Sequence, residues 1–280
     1  MFQYLKDHDK YLYHYTSAKK ALEYILKDRT LMFNSLRNTN DPKESKDWKF
    51  DFHLVKGQLV TDDESNKIWR DVSSEIKTKC KVLCFSKDKI GLGEEFLNDI
   101  YLRGFAMPRM WAQYGDNHKG VCLIFNKKNI TKLIVEQFGT NADIYGSNVE
   151  YRNVMLKGDI FNSPYTINYN FLKDVGLNEF VRSYVAEYNA ELFFEKSLDW
   201  RDENEFRYLM HIDSKENQLL NFGNTLEGIV FGTDTAEEDQ RDIFQMAVQG
   251  GTQFEKIIYS NSTPWFSFKD FRVYHKHRES

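Results

Sequence analysis

The residues best suited to chemistry sit where apolar runs end. In "DWRDENEFRYLMHI", Glu203 and Glu205 flank Asn204, and Arg207 follows two residues on. A strand would put Glu203, Glu205 and Arg207 on one face, with Asn204 and Phe206 on the other, toward the core. Two carboxylates and one guanidinium make a cluster with one negative charge to spare. In "LYHYTS", His14 stands in a short aromatic strand whose end carries Tyr15 and Thr16. Ser86 follows the apolar run "VLCF", and Trp111 and Tyr114 precede "GVCLIF". Strand ends and the loops behind them are where sites are usually built. A carboxylate pair with a histidine suits a hydrolase or a nuclease, the latter with a divalent metal. The same residues also fit a plain structural reading: a solvated, ion-paired strand face of little worth to stability, and a hydrogen-bonded histidine.

Other signatures are missing. The sequence holds no phosphate-loop motif, dinucleotide glycine fingerprint, zinc-protease helix or nucleophile elbow. "GLGEEF" begins like a glycine-rich loop but lacks the third glycine. Cys80-x3-Cys84 could open a metal site, yet the only other cysteine is Cys122, so neither a second soft pair nor a disulfide framework is expected. No metal is expected.

Elements able to position these groups are legible in the patterning. Leu12–Tyr15 reads as a strand and Ser17–Lys27 as an amphipathic helix, with Ala18, Ala21, Leu22, Ile25 and Leu26 on one face. "TLMFNS" is a strand and "LRNTNDPKE" a loop. Residues 62–79 read as a polar helix, "KVLCFSKD" as a central strand, and "GLGEEFLNDIYLRGFAMP" as irregular. "RMWAQYGD" is a short helix after Pro108, "VCLIFN" a buried strand, and "KNITKLIVEQFG" a helix ending at Gly139. "SNVEYRNV" alternates like a strand, and a long helical region spans Asn168 to Lys196. After the strand that carries the carboxylates come a strand "LEGIVFG", a helix "TAEEDQRDIFQMAVQGG", and strands "EKIIYS" and "FRVYHK". Strands and helices mix without strict alternation, which favours α+β.

Composition fits a globular chain: 41% hydrophobic and 29% charged residues. The expectation is one α+β domain over residues 1–280, its motif-bearing core at 11–232 and a helix and strands at 233–280 completing the sheet. Aromatic residues reach 15%, which suits half-buried strands better than a base-stacking surface. Net charge is −4, so attraction to nucleic acid would need a local basic patch. The charged start "MFQYLKDHDK" is unlike a signal peptide, and no apolar run is long enough for a membrane helix. A cytoplasmic, bacterial setting without membrane partners is expected.

Taken in order, "LYHYTS", "NDPKE", "VLCFSKD", "MWAQYGDNHKGVCLIF", "DWRDENEFR" and "GIVFG" resemble the bacterial family called domain of unknown function 2971, over roughly Tyr11 to Gly232. More distantly, "LYHYTSAKKALEYILKDRTLMFNS" and the later Glu203-Asn204-Glu205 resemble ADP-ribosyltransferases of the His-Tyr-Glu type. That second resemblance implies a mixed, mostly antiparallel split sheet flanked by helices, with an ADP-ribosyltransferase-like core. It implies NAD as substrate and a nucleic-acid or protein acceptor, in a toxin or antiviral (phage-defence) role. Glu205 would stabilise the cation that develops on the ribose, by analogy with glycoside cleavage. Glu203, its pKa raised by the neighbouring carboxylate, would orient or deprotonate the acceptor. His14 would bond a ribose hydroxyl, and the stacking ring falls to Tyr15, Tyr114 or the Phe85–Ser86 strand end. Thr16 and Trp111 complete the implied cofactor wall. Arg37 would reach the pyrophosphate, while Arg207 would brace a glutamate. A non-enzymatic sensor or binding module remains the third reading.

Overall fold

The computed structural model describes residues 9–91, 99–153, 163–261, 263–267 and 269–278. The glycine-rich "GLGEEF", apart from Gly91, and the last residue of "SNVEYRNV" lie outside them, as does most of "MFQYLKDHDK".

The chain opens with β1 (Tyr11–Thr16), whose end passes through Ser17 into a short helix. Ser17 caps it by accepting the Lys20 amide, and α1 (Ala18–Lys20) continues as a π-helical stretch, Ala21–Leu26. Next come β2 (Thr30–Ser35), α2 (Pro42–Ser45), β3 (Asp51–His53), α3 (Asp62–Lys79) and β4 (Cys80–Ser86). Then follow α4 (Pro108–Gln113), β5 (Val121–Asn126), α5 (Lys127–Phe138), β6 (Ala142–Asn148) and β7 (Glu150–Arg152). After β8 (Thr166–Asn168), α6 (Tyr169–Phe193) and β9 (Glu195–Ser197), the chain forms β10 (Glu205–Ile212), β11 (Gln218–Asn221) and β12 (Leu226–Phe231). The last elements are α7 (Glu237–Ala247), β13 (Gln253–Ser260) and β14 (Thr263–Phe266).

The result is a mixed α/β architecture on one open, mostly antiparallel ten-stranded sheet. One edge of β4 pairs with β10 along its length, from Glu205 opposite Ser86 to His211 opposite Cys80, and β10 pairs in turn with β6. The other edge of β4 divides. β2 takes Lys81 and Val82, and β1 takes Ser86 through Tyr13. Among the described residues Leu83–Phe85 have no strand partner on that edge, so the sheet parts between β2 and β1. β11 extends the β2 side, while β5, β12, β13 and β14 extend the β1 side.

Hydrophobic burial covers both faces. Leu12, Leu83, Phe85, Phe206 and Tyr208 pack on one face under α5, α7 and the Ala18–Leu26 helix. On the other face, α3 and α6 cover β4 and β10 through Val72, Ile76, Val181 and Val185. A third cluster holds Tyr13, Tyr15, Cys122, Met107 and Trp111.

Several expectations change. "FRVYHK" is a 3-10 helix (Phe271–Arg278), because Phe271 and Tyr274, three residues apart, both pack on Phe244 or Phe254. "SNVEYRNV" breaks at Val149, whose amide donates to the Glu205 carbonyl (3.0 Å) rather than continuing β6. The long helix merges two segments across Gly176, at φ 80°. Asp99–Leu102 forms one 3-10 turn inside the stretch read as irregular. β3, β7, β8 and β9 have three residues each, too few for a two-residue period to register.

Candidate functional site

Where the sheet parts, a cleft of about 320 Å³ opens. Its walls come from the end of β1, the middle of β4, the loop after β2, the start of β10 and α4.

β1 delivers three consecutive side chains. Tyr13 and Tyr15 go to the side of Ser86 and Glu205, since residues directly opposite across strands share a face. His14 alternates to the other side, edge-on to Phe85 with centroids 5.7 Å apart. The gap in the sheet lets it reach the cleft nonetheless. Its Nδ1 lies 3.2 Å from the Cys84 carbonyl, taking up a backbone acceptor on the strand edge that neither β1 nor β2 pairs. Burial lowers the His14 pKa below its usual 6.5, partly offset by that bond, so the imidazole stays neutral at pH 7. Tyr15 donates to the Gly104 carbonyl (2.6 Å) and packs edge-on against Trp111.

"NDPKE" turns out to be more than a turn. Asp41 caps α2 by accepting the Lys43 amide (2.9 Å), and Pro42 fills the first helical position. This single turn points Glu44 inward, 3% exposed, to accept from Arg207 Nη1. Glu203 and Glu205 do not share one strand face. Glu203 ends a 3-10 turn, Leu198–Glu203, and Asn204 adopts a left-handed φ of 43° before β10 begins. Asn204 holds that turn by donating to the Lys87 (2.8 Å) and Asp88 (3.0 Å) carbonyls, so it does not point to the core as the alternation suggested.

What brings the two carboxylates together is Lys196, from β9. Its Nζ lies 2.8 Å from Glu203 Oε2 and 2.8 Å from Glu205 Oε2. Arg207 grips Glu205 with two bonds, Nε to Oε1 (2.7 Å) and Nη2 to Oε2 (2.8 Å), and also donates to the Phe193 carbonyl. Burial pushes the Glu205 carboxyl up, but Arg207 and Lys196 outweigh it and hold the group well below the usual carboxylate range. Burial would likewise lower Lys196, and Glu205 reverses it, keeping the ammonium charged. The like-charge repulsion expected between Glu203 and Glu205 is therefore offset by a cation between them. The other oxygen of Glu203 accepts from the Tyr114 hydroxyl at 2.6 Å, and that hydroxyl accepts from Asn40 Nδ2 at 2.9 Å.

Among the residues singled out in the sequence, His14, Tyr15, Ser86, Tyr114, Glu203, Glu205 and Arg207 all line the cleft. Ser86 is 1% exposed, and its Oγ has no hydrogen-bond partner among the described residues. Arg207 braces Glu205, as expected. Trp111 does not line the cleft: it is fully buried and donates to the Phe105 carbonyl (2.8 Å). Thr16 is buried away from it, and Arg37 pairs with Asp47 on the surface (3.2 Å). Sequence reasoning missed Lys196, Glu44 and the amide side chains Asn34, Asn38 and Asn40. Only Glu44 and Asn40 had a signal, their place in "NDPKE". No group of three or more His, Cys, Asp or Glu among the described residues is arranged to hold a metal ion. No helix among them is long and apolar enough to cross a membrane.

A family model described as "Protein of unknown function (DUF2971)" matches residues 110–208. That segment carries Tyr114, Lys196, Glu203, Glu205 and Arg207, whereas His14, Glu44 and Ser86 lie outside it. Comparison with curated proteins and with solved structures returned no match.

Proposed function

We propose that the chain is an ADP-ribosyltransferase-like protein that moves ADP-ribose from NAD to a macromolecule, with nucleic acid as the acceptor to test first. The observation that carries this reading is the meeting of His14, Glu205 and the rings of Tyr13, Tyr15 and Phe85 on one cleft at the parting of the sheet. The resemblance alone suggests a toxin or phage-defence role.

Breaking the bond between nicotinamide and ribose builds positive charge on the ribose. A carboxylate fixed as an anion suits that charge. Glu205 is so fixed by Arg207 and Lys196, and it has no need to reorganise during the reaction. Neutral His14 can bond a ribose hydroxyl, and Tyr15 or Phe85 would meet the nicotinamide, since Tyr13 is fully buried. Ser86 Oγ is a further polar group for the substrate. At about 320 Å³ the cleft is small for a ligand pocket, so the nicotinamide-ribose half fits inside and the rest of NAD extends outward. Both cations in its lining already serve carboxylates, so neutral donors would meet the pyrophosphate.

The test is incubation with NAD labelled on its adenylate and with total RNA, DNA and protein. Wild type should deposit label on a macromolecule, and Glu205→Gln, checked for folding, should lose it. Equal labelling by both would sink the proposal. One observation favours a non-enzymatic binding module instead: every charge in the cluster has a partner. Under that reading wild type consumes no NAD.

A further inference from the structure

Every charged side chain in the cleft lining is buried and spent on another. Glu44, Lys196, Glu203, Glu205 and Arg207 are each 5% exposed or less, and all are joined by ion pairs or hydrogen bonds. What the cleft offers a visitor is neutral. Asn38 and Asn40 are exposed at its mouth, and Asn34 and Thr39 are half-buried beside them. Asn34 and Asn38 make no side-chain hydrogen bond within the described chain, so their amides are free for another molecule. A neutral amide rim offers no counter-charge to a charged amino-acid side chain. It matches a nucleobase edge, where a carboxamide donates and accepts side by side.

At this rim stands Tyr114, half-buried, its hydroxyl donating to Glu203 Oε1 at 2.6 Å while Asn40 Nδ2 donates to it at 2.9 Å. The phenolic proton therefore already points at a carboxylate. The oxygen also accepts from Gln113 Nε2 at 3.3 Å, a long bond from an exposed side chain that an incoming donor would displace while Asn40 keeps its place.

We infer that the acceptor is an unpaired nucleobase bearing an exocyclic amino group, held by Asn38 and Asn40, and that Tyr114 and Glu203 take its proton. This rests on the transferase reading above. The amino nitrogen of the base attacks the ribose carbon and forms the new nitrogen–carbon bond. The bond from that carbon to nicotinamide breaks, and its electron pair neutralises the pyridinium. The proton of the amino group passes to the Tyr114 oxygen as the tyrosine's own proton passes to Glu203 Oε1. Two atoms change protonation and no oxidant or reductant is needed. Tyr114 is a catalytic residue in this step, and Asn38 binds the acceptor.

The test uses the full chain, NAD labelled on its adenylate, and single-stranded oligonucleotides of deoxyadenosine, deoxycytidine, deoxyguanosine or thymidine. Label is expected on at least one of the amino-bearing strands and not on oligothymidine, which has no exocyclic amine. Tyr114→Phe keeps the ring but not the hydroxyl. It should lower the ratio of label transferred to NAD cleaved by about a hundredfold or more, the lower end of what one acid–base group contributes. Asn38→Ala changes an exposed side chain and leaves folding intact. It should raise the KM for the oligonucleotide about tenfold, the range of one bidentate base contact. Labelling of oligothymidine, label on protein alone, or an unchanged ratio in Tyr114→Phe would each overturn the inference and leave the transferase reading standing. Absence of NAD cleavage by wild type with every acceptor would overturn both.

Discussion

Replacing Lys196 by methionine should destabilise the fold more than replacing Glu205 by glutamine. The reason is the charge count inside the cluster. Three anions (Glu44, Glu203, Glu205) meet two cations (Lys196, Arg207), leaving one net negative charge out of water. Removing one partner of a buried ion pair costs about 3–5 kcal/mol. Glu205→Gln brings the net charge to zero. Arg207 keeps Glu44 and the Phe193 carbonyl, and Lys196 keeps Glu203. The cost should therefore lie near the lower end, about 3 kcal/mol. Lys196→Met leaves two net negative charges, with Glu203 stripped of its only cation among the described residues, so about 5 kcal/mol is expected. Urea unfolding at pH 7, read as a midpoint shift at constant slope, measures both. The double variant Lys196→Met/Glu203→Gln restores the net single negative charge and should recover about 1–2 kcal/mol as coupling between the sites. The depressed Glu205 carboxyl adds a sign. Its stabilisation is present above the unfolded carboxylate value near pH 4.3 and fades as pH falls toward the lower folded value, so Glu205→Gln should flatten the acid limb. If Lys196→Met costs no more than Glu205→Gln, or the double variant recovers nothing, the cluster is not electrostatically coupled as argued.

Three further outcomes are expected. Lys77 is fully buried, and burial lowers its pKa to about 8 against an unfolded value near 10.4, so the folded chain holds fewer protons between these values and gains stability as pH rises. The stability gap between Lys77→Met and wild type should therefore shift in favour of wild type by about 1–3 kcal/mol from pH 7 to pH 10.5, read by urea unfolding at each pH. A Cβ at Gly104 would stand 2.1 Å from the buried Tyr13 ring, so Gly104→Ala should cost about 2–3 kcal/mol and displace one cleft wall, seen as a lower urea midpoint and altered tyrosine near-ultraviolet dichroism. The His14 imidazole should titrate below pH 6.5 by NMR; a midpoint at or above that value would contradict the buried setting derived for it.

The local pieces of the site were legible because they obey short-range rules. The alternation of "LYHYT" and "VLCFS", the cap and proline of "NDPKE", and the carboxylates beside "FRYLMHI" are matters of one or two turns of chain. Arg207 as a brace for Glu205 also follows from strand spacing. The i, i+2 reading of Glu203 failed, because a left-handed Asn204 tied to the Lys87 and Asp88 carbonyls ends the strand between them. Arg37 and Trp111 were placed in the site on type and order alone. A surface aspartate and a buried core claimed them instead.

By itself the sequence determined the residue types, the strand ends that carry them and the mixed α/β character, since propensity and periodicity are written locally. Only the tertiary structure decided which of those residues meet. The parting of β1 from β2 along one edge of β4 lets His14 reach the same cleft as Glu205 from the opposite face of the sheet. Glu44 joins the cluster from a turn 163 residues before Arg207, and Lys196 from a separate strand across the 3-10 turn that ends at Glu203. Neither has a spacing signature, because a buried charge is matched through space and its partner can lie at any distance along the sequence.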